Sequence, residues 1–219
     1  MKNKLHVGYD IDGTHANFIK GFTETMSNYF PVDVVEDDRN LQTYDLEEAY
    51  GDFKANAVWR HISNDPDFYN RLEPLDAEWI DDTKKLVNRD DVQAHYVTAR
   101  AHSTIDSIAQ VKNKDFNRHQ QKRMAQRLRV KTERWLQSRG LQGRLYMARD
   151  KGRIARHNNI DLYVDNKTED VMDVSRKSPT ESYLLSKGYN RDANVKNRVE
   201  TIPHFNNIAR TIVDGGNYE

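Results

Sequence analysis

Short runs of apolar residues alternate along this chain with longer segments in which apolar residues recur at helical spacing. Residues 5–10 (LHVGYD) predict a buried strand that ends in a polar turn. Residues 17–30 repeat an apolar side chain at every fourth position, which predicts a helix, and Pro31 is expected to end it. The chain is therefore expected to begin with a strand followed by a helix.

The same alternation continues through the second half of the chain. Apolar runs predict further strands at 92–98, 145–147, 162–164 and 183–186. Helical periodicity predicts helices at 76–88, at 103–139 with a break inside it, at 153–157 and at 204–213. Strands that alternate with helices predict an α/β fold with a parallel sheet covered on both faces.

Residues 31–75 lack this alternation and predict short helices in an inserted subdomain. The length of 219 residues suits a single α/β domain, or a core with a small appended subdomain. In a parallel sheet, ligands bind at the carboxyl ends of the strands. The polar residues that follow the predicted strands are Asp10, Thr98, the run 149–151 and Asp165, so these are expected at one rim.

Composition excludes several classes of site and of protein. The chain has no cysteine, which excludes disulfides, a thiolate nucleophile and a cysteine zinc site. Mean hydropathy is −0.95, and no run approaches the roughly 18 apolar residues of a spanning helix, so no membrane span is expected. The N-terminus shows no apolar signal region, and a cytoplasmic location is the simplest expectation.

The net charge is zero, but the charges are segregated. Residues 33–52 hold eight acidic residues and one basic residue, whereas 112–139 hold ten Lys or Arg and two acids. The basic stretch 111–134 is read either as a solvated helix face or as a funnel for a phosphorylated ligand, including a nucleic acid. It could equally pair with 33–52 or with a second subunit of a homodimer. Phe116 is its only aromatic residue, so base stacking on it is not expected.

The sequence Asp10-Ile11-Asp12-Gly13-Thr14 follows the first predicted strand directly. Two carboxylates this close repel each other unless a cation lies between them, and oxygen ligands favour a hard cation such as Mg²⁺. A solvated turn or a calcium loop are the alternatives, although a calcium loop would continue with further acids before its glycine. The pair alone leaves a structural turn and a metal or catalytic site open.

The segment VGYDIDGTHANF resembles the first motif of the haloacid-dehalogenase-like (HAD) phosphohydrolases. Its extended form, D-x-D-G-x-x-A-x-F, resembles that of 5′(3′)-deoxyribonucleotidases in particular. The resemblance implies a Rossmann-like core with a small helical cap inserted after this motif. It also implies that Asp10 attacks phosphorus, that Asp12 is the acid and base, and that the Asp12 backbone carbonyl binds Mg²⁺.

Two further segments resemble the second and third motifs of these enzymes. The strand that ends at Thr98 is followed by Ala99 and Arg100, and the resemblance implies that hydroxyl, backbone N–H and guanidinium groups here bind phosphate. Lys151, in the run Arg149-Asp150-Lys151, is expected to bind the phosphate and to reduce its repulsion by Asp10.

The fourth motif departs from the usual pattern. The family commonly has two adjacent acids after the fourth strand, whereas this chain has Asp165 and Asn166. Either the Asn166 carbonyl binds the metal, or Asp165 or Glu169 replaces it. The predicted metal ligands are therefore Asp10, Asp12, Asp165 and Asn166. His15 also stands where an apolar residue is usual, which leaves it facing the substrate or partly exposed.

The resemblance extends over nearly the whole chain. It implies a core formed by 1–16 and 76–219, a cap at 17–75 and a basic helical insertion at about 104–134, with Phe18 in contact with the substrate. The resulting hypothesis is a magnesium-dependent phosphatase that acts on nucleoside monophosphates, with deoxyribonucleotides favoured. A polynucleotide 3′-phosphatase and a weakly active nucleic-acid-binding protein of the same fold are the alternatives.

Overall fold

The computed structural model describes residues 4–215, except for residues 37, 39, 40, 66, 113 and 114. The strands are β1 (Leu5–Tyr9), β2 (Val92–Thr98), β3 (Arg144–Met147), β4 (Leu162–Asp165), β5 (Glu181–Leu185) and β6 (Arg198–Val199). The helices are α1 (Phe18–Ser27), α2 (Leu46–Tyr50), α3 (Asp52–Asn64), α4 (Phe68–Arg71), α5 (Ala77–Val87), α6 (Arg100–Lys112), α7 (Arg118–Ser138), α8 (Lys151–His157), α9 (Thr168–Lys177) and α10 (Ile202–Val213).

The six strands form one parallel sheet in the order β3-β2-β1-β4-β5-β6. This is the Rossmann strand order, so the predicted α/β, Rossmann-like fold is confirmed. From β1 the sheet extends through β2 and β3 in one direction, and from β4 it extends through β5 and β6 in the other. The carboxyl ends of β1 and β4 therefore border the crevice where such sheets bind ligands.

Helices cover both faces of the sheet because the strands alternate their buried side chains between the two faces. One face is packed by Leu86 of α5, Trp135 of α7 and Phe205 of α10. The other is packed by Ala155 of α8 and Val174 of α9. In the part of the chain that the structure describes, no helix is long and apolar enough to cross a membrane.

The helical segment between β1 and α5 leaves and re-enters the core at one place. Asn17 N donates to Glu73 O, and Leu75 N donates to His15 O, so the outgoing and returning chains lie side by side. Helices α1 to α4 lie between these two points, as expected for a cap inserted after the first strand. The exact bounds of 17–75 for that cap stay a prediction.

Several element bounds differ from the predicted ones. Helix α1 ends at Ser27, before Pro31. The long helical stretch does break once, and α7 begins after Asn117, whose side chain caps it in a box with Gln120. Helix α9 and strand β6 were not predicted. Only Val171 and Val174 of α9 are buried, and β6 has two residues, so neither leaves a clear periodic pattern.

Acid is expected to destabilise this fold through His95. The side chain is buried in β2, where its Nε2 lies 3.0 Å from His6 Nδ1 and its ring stacks on Tyr146. Burial, with repulsion from His6 and Arg144, lowers the pKa of His95 from 6.5 to about 4. Between these pH values the unfolded chain binds a proton that the folded chain does not. The free energy of unfolding should therefore fall by about 1 kcal/mol per pH unit on acidification.

Denaturant unfolding between pH 7 and 4 measures this slope. His95→Gln should lower the measured slope by about 1 kcal/mol per pH unit relative to the wild type. The remaining slope belongs to other groups, including His15, whose pKa burial lowers to about 4, and Asp10, whose pKa burial raises to about 7 and which acts in the opposite sense. His157 is exposed at the end of α8, and His157→Gln should leave the slope unchanged. An unaltered slope in His95→Gln would show that His95 titrates normally in the folded protein.

Candidate active site

Lys151 lies at the centre of a buried cluster of carboxylates. Its Nζ is 2.7 Å from Asp10 Oδ1, 2.7 Å from Asp165 Oδ2 and 2.8 Å from Asp170 Oδ2, and the residue is 2% exposed. Asp10 follows β1, Asp165 ends β4, Asp170 lies in the first turn of α9, and Lys151 begins α8. The carboxyl ends of β1 and β4 and the starts of two helices thus bring the predicted residues together.

The glycine of the first motif is required by this geometry. Asp10 N donates to Val164 O, which ties the turn after β1 to β4. Gly13 has φ of +80°, and a Cβ at that position would lie 2.4 Å from Asn166 Nδ2. Any other residue would be strained in its backbone and would displace Asn166. The motif therefore holds the turn that carries its two carboxylates against the end of β4.

The cluster carries more negative than positive charge. Burial, together with Asp165 and Asp12, raises the pKa of Asp10 to about 7, although Lys151 lowers it. Burial likewise raises the pKa of Asp170. For Lys151, burial lowers the pKa, but the attraction of Asp10 and Asp165 outweighs it, so its pKa lies well above the usual value. Three carboxylates around one ammonium group leave a place where a further cation is favourable.

Asn166, which directly follows Asp165, has an unused side-chain oxygen. Its Nδ2 donates to Tyr189 Oη at 2.6 Å, and its backbone carbonyl accepts from Asn190 Nδ2 at 2.8 Å, so the side chain is held on both sides. Its Oδ1 is buried and accepts no hydrogen bond from the described residues. A buried carbonyl oxygen without a donor is costly unless a cation or a water meets it. This donor set fits Mg²⁺, which prefers oxygen ligands.

Asp165, a predicted metal ligand, accepts hydrogen bonds at both of its carboxylate oxygens. Its Oδ2 accepts from Lys151 Nζ and from Tyr163 Oη at 2.7 Å each, and its Oδ1 accepts from Lys167 N at 3.0 Å. Both oxygens thus have donors, and their contacts hold Lys151 in place. Among the described residues, no group of three or more His, Asp or Glu is arranged to hold a metal ion. A metal here would therefore need Asn166 and backbone oxygen in addition to a carboxylate such as that of Asp10.

Arg100 pairs with Asp12 rather than lying free for phosphate. Its Nε donates to Asp12 Oδ2 at 2.9 Å, its Nη2 donates to Asp12 Oδ1 at 2.5 Å, and its Nη1 donates to Thr132 Oγ1 at 3.1 Å. The guanidinium also lies 4.5 Å from the centre of the Tyr69 ring, and the side chain is fully buried. Such a two-bond pair fixes the orientation of the carboxylate. Arg100 thus joins Asp12 to α7 and to the cap.

The two roles of Arg100 predict different kinetics. If Arg100 orients Asp12 for the phosphatase reaction that the sequence predicts, Arg100→Lys should lower kcat by about 10²-fold with little change in KM, because the predicted acid and base loses its fixed position. If it binds phosphate, KM should rise as well. Steady-state phosphatase kinetics separate the two, and added guanidinium ion should partly restore kcat in Arg100→Gly. Arg139 also stacks on an aromatic ring, 4.2 Å from Trp135, and Arg139→Lys provides the matched control outside the site.

Thr98 and Ala99 lie in the same cavity as the carboxylates, as the strand-end prediction requires. Thr98 Oγ1 accepts from Arg100 N at 3.1 Å, which leaves its hydroxyl hydrogen available as a donor. Helix α6 begins at Arg100, immediately after these residues. A hydroxyl donor and the first turn of a helix together suit an anion.

The cap closes this cavity, of about 230 Å³, with aromatic side chains. Phe18, the predicted substrate contact, lines it, and its ring stacks on Trp59 and on Tyr69 with centres 6.0 and 6.4 Å apart. Trp59 Nε1 is buried and has no acceptor among the described residues. Tyr44 lines the cavity as well, with Lys167 Nζ 4.1 Å from its ring centre.

Sequence reasoning missed five of these lining residues: Tyr44, Trp59, Tyr69, Lys167 and Asp170. The first three lie in the cap, where the sequence has no clear periodicity, and Asp170 lies on the unpredicted helix α9. Its position, in the first turn after a strand end that carries Asp165, is the one signal that could have found it.

Neither expectation for His15 is correct. The residue is 1% exposed and does not line the cavity. Its Nδ1 donates to Asp10 O at 3.3 Å, and its Nε2 lies 3.2 Å from Thr83 Oγ1. His15 therefore supports the turn of the first motif from behind, as a neutral core residue.

Comparisons with known proteins do not identify the substrate of this chain. No protein-family model matches the chain, and no curated protein matches it significantly. A solved structure of a candidate phosphoglycolate phosphatase from Lactobacillus delbrueckii subsp. bulgaricus is 12% identical, covers 94% of this chain and 98% of its own, and has a TM-score of 0.49. A HAD-superfamily hydrolase of subfamily IA from Geobacter sulfurreducens is 12% identical, with 96% and 98% covered and a TM-score of 0.47.

A HAD family hydrolase from Deinococcus radiodurans, solved with bound phosphate and sodium, is 10% identical, with 98% of both chains covered and a TM-score of 0.47. Identities this low identify no substrate, and TM-scores below 0.5 carry no argument. The function is therefore argued from the geometry of the site.

Proposed function

We propose that this chain is a magnesium-dependent phosphatase of the HAD type, which hydrolyses phosphate monoesters of nucleotides through an aspartyl-phosphate. One observation carries the proposal. The buried ammonium group of Lys151 lies 2.7 Å from Asp10 at the β1–β4 crevice, in a cavity that also contains Thr98 and the Arg100–Asp12 pair. A nucleophile, a charge-neutralising group, a hydroxyl donor and a second carboxylate thus surround one small space.

The reaction takes place in two steps on these side chains. A carboxylate oxygen of Asp10 attacks phosphorus while the bond to the leaving oxygen breaks, and a proton from Asp12 neutralises that oxygen. Asp12 then takes a proton from water, whose oxygen attacks the phosphorus of the aspartyl-phosphate and releases phosphate and free Asp10. Lys151 and Thr98 stabilise the charge on the transferred group in both steps.

Mg²⁺ would be held by an Asp10 carboxylate oxygen, the Asp12 backbone carbonyl and Asn166 Oδ1. When bound, it supplies positive charge that reduces the repulsion between the phosphate and the carboxylates. The unused Asn166 oxygen supports this ligand set and weakens the case for an inactive binding protein, which depended on Asn166 alone.

The aromatic wall favours a nucleotide over a smaller phosphate ester. Phe18, Trp59 and Tyr69 provide stacked apolar surface opposite the carboxylates. A base or a sugar can lie against such rings, and the free Trp59 Nε1 can donate to an acceptor on either. The test is phosphate release from 5′- and 3′-nucleoside monophosphates and p-nitrophenyl phosphate. Turnover with Mg²⁺ and none with a chelator is expected, and equal rates with and without chelator would contradict metal dependence.

Asn166 variants test the metal site itself. Asn166→Leu should weaken Mg²⁺ binding, measured by calorimetry without substrate, by at least ~10-fold because it removes a ligand. Asn166→Asp should strengthen it because it adds charge. Asn158, at the end of α8, is the matched control, because its Oδ1 already accepts from Tyr146 Oη at 2.7 Å whereas Asn166 Oδ1 has no donor among the described residues, so Asn158→Leu should leave Mg²⁺ affinity unchanged. Unchanged affinity in Asn166→Leu would remove Asn166 from the ligand set.

A further inference from the structure

One face of α7 carries a polar stripe that the proposed chemistry does not use. His119, Lys122, Arg123, Gln126 and Arg129 recur at the spacing of one helix face. With the neighbouring Ala125, these five side chains form one wall of a groove of about 520 Å³. The buried residues of α7, which are Thr132, Trp135 and Leu136, lie further along the helix, toward its C-terminal end. The five side chains of the stripe are exposed and take no part in packing the core.

The stripe keeps most of its positive charge. Lys122 and Arg123 are exposed, and Arg129 pairs with Glu133 at 2.9 Å in an exposed contact, which is weak in water. The acidic segment 33–52 directs its recorded ion pairs elsewhere, because Glu36 binds Lys20 and Asp38 binds Lys187. The exposed charge of Lys122 and Arg123 is thus open to an anionic ligand.

The groove adjoins the phosphate-binding end of the cavity. Its other wall includes Met147, the last residue of β3. Met147 is the register partner of Thr98, which lines the cavity at the end of β2. Adjacent strands lie about 4.8 Å apart, so Met147 in the groove and Thr98 in the cavity are separated by one interstrand spacing. Helix α7 also contacts the site directly, since Thr132 accepts from Arg100.

The dimensions indicate a ligand longer than one nucleotide. The cavity of about 230 Å³ is lined by the catalytic candidates and by aromatic residues of the cap, and no side chain of the stripe lines it. The stripe from His119 to Arg129 extends about 15 Å along α7, far more than one phosphate needs. A nucleotide that continued into a chain would have to leave the cavity, and the basic groove lies beside it.

We propose that this groove binds the sugar–phosphate backbone of a single-stranded nucleic acid whose phosphorylated terminal nucleotide lies at Asp10. The inference rests on the proposed phosphatase function and extends its substrate class from free nucleotides to strand ends. The strand is single because its last nucleotide must be unpaired to enter the cavity beneath the cap. His119 is the only ring on the stripe, so binding is electrostatic and insensitive to sequence.

The test uses Asp10→Asn, which keeps the site but lacks the nucleophile. Its affinity for 5′-phosphorylated, 3′-phosphorylated and unphosphorylated oligonucleotides is measured by fluorescence anisotropy over a series of salt concentrations. The groove triple Lys122→Gln, Arg123→Gln, Arg129→Gln is added to it. Loss of three phosphate contacts should lower the slope of log K against log salt by about 2, and the affinity in 0.1 M salt by about 10²-fold.

The control triple Arg156→Gln, Arg176→Gln, Lys196→Gln removes the same charge from exposed positions on α8, on α9 and before β6. It should retain the affinity and the slope. The phosphorylated end that binds more tightly than the unphosphorylated strand identifies which terminus enters the cavity.

Equal losses in the two triples would overturn the proposal, because the attraction would then be diffuse. A homodimer that only the groove triple dissociates, without oligonucleotide binding, would overturn it in favour of a second subunit. Turnover of p-nitrophenyl phosphate by the wild-type protein is measured in parallel. If turnover is present and oligonucleotide binding is absent, the strand proposal fails alone, whereas binding without any turnover removes the phosphatase function.

Discussion

Asp10→Asn is expected to lower kcat for phosphate release by at least ~10⁴-fold while the protein stays folded. The amide has the size of the carboxylate but is not a nucleophile, so no aspartyl-phosphate can form. Lys151 keeps Asp165 and Asp170 as partners, and the helices and strands around it should therefore remain in place. Single-turnover kinetics with p-nitrophenyl phosphate measure the loss, and thermal unfolding checks the fold.

Two further variants make this result specific to Asp10. Asp10→Ala should lose as much activity as Asp10→Asn, which guards against slow deamidation of the asparagine. Asp173 on α9 accepts from Gly152 N at 3.0 Å and binds Lys177, but it does not line the cavity. Asp173→Asn should therefore keep kcat within a few-fold. Activity of Asp10→Asn within tenfold of the wild type would assign the nucleophile to another residue.

Lys151→Met is expected to be the most destabilising single change in the site. Methionine can occupy the space of the lysine stem, but Asp10, Asp165 and Asp170 then lose the cation that they share. Removing one partner from a buried ion pair commonly costs about 3–5 kcal/mol, and here three carboxylates lose the same partner. The free energy of unfolding at pH 7 should fall by about that amount, with turnover lowered by at least ~10²-fold.

The control for Lys151→Met is Lys177→Met, which also separates a lysine from two carboxylates. Lys177 binds Asp150 and Asp173 but is 46% exposed, so water replaces the lost contacts and little destabilisation is expected. Mg²⁺ at millimolar concentration should raise the Tm of Lys151→Met more than that of the wild type, because the ion supplies charge to the same cluster. An unchanged Tm for Lys151→Met would mean that the carboxylates are solvated and not joined through this lysine.

The sequence predicted the positions of most catalytic candidates because each lies beside a local pattern. Asp10, Thr98 and Asp165 follow or end apolar runs, and parallel strands place such ends at one edge of the sheet. The strand order was not needed for this step. The alternation of strands and helices was sufficient to indicate the layered α/β fold, since each element must bury its apolar face against the next layer.

The spacing of apolar and polar residues could not predict contacts between residues that lie far apart in the chain. Arg100 was predicted to bind phosphate, yet its partner Asp12 lies 88 positions away in the chain. No site role was predicted for Trp59 or Tyr69, yet both line the cavity. Periodicity reports which residues are buried, but it does not report against which surface they are buried.

The sequence by itself determined the parallel α/β architecture, the polar turn with two carboxylates after the first strand, and the strand ends on which the proposed chemistry depends. These properties follow from the local spacing of apolar and polar residues, which is visible in one sequence. Only the tertiary structure decided that Lys151 joins three carboxylates, that Arg100 holds Asp12, and that the basic face of α7 opens beside Thr98. Each of these is a distance between segments far apart in the chain, and such distances are set by packing of the whole sheet and its helices.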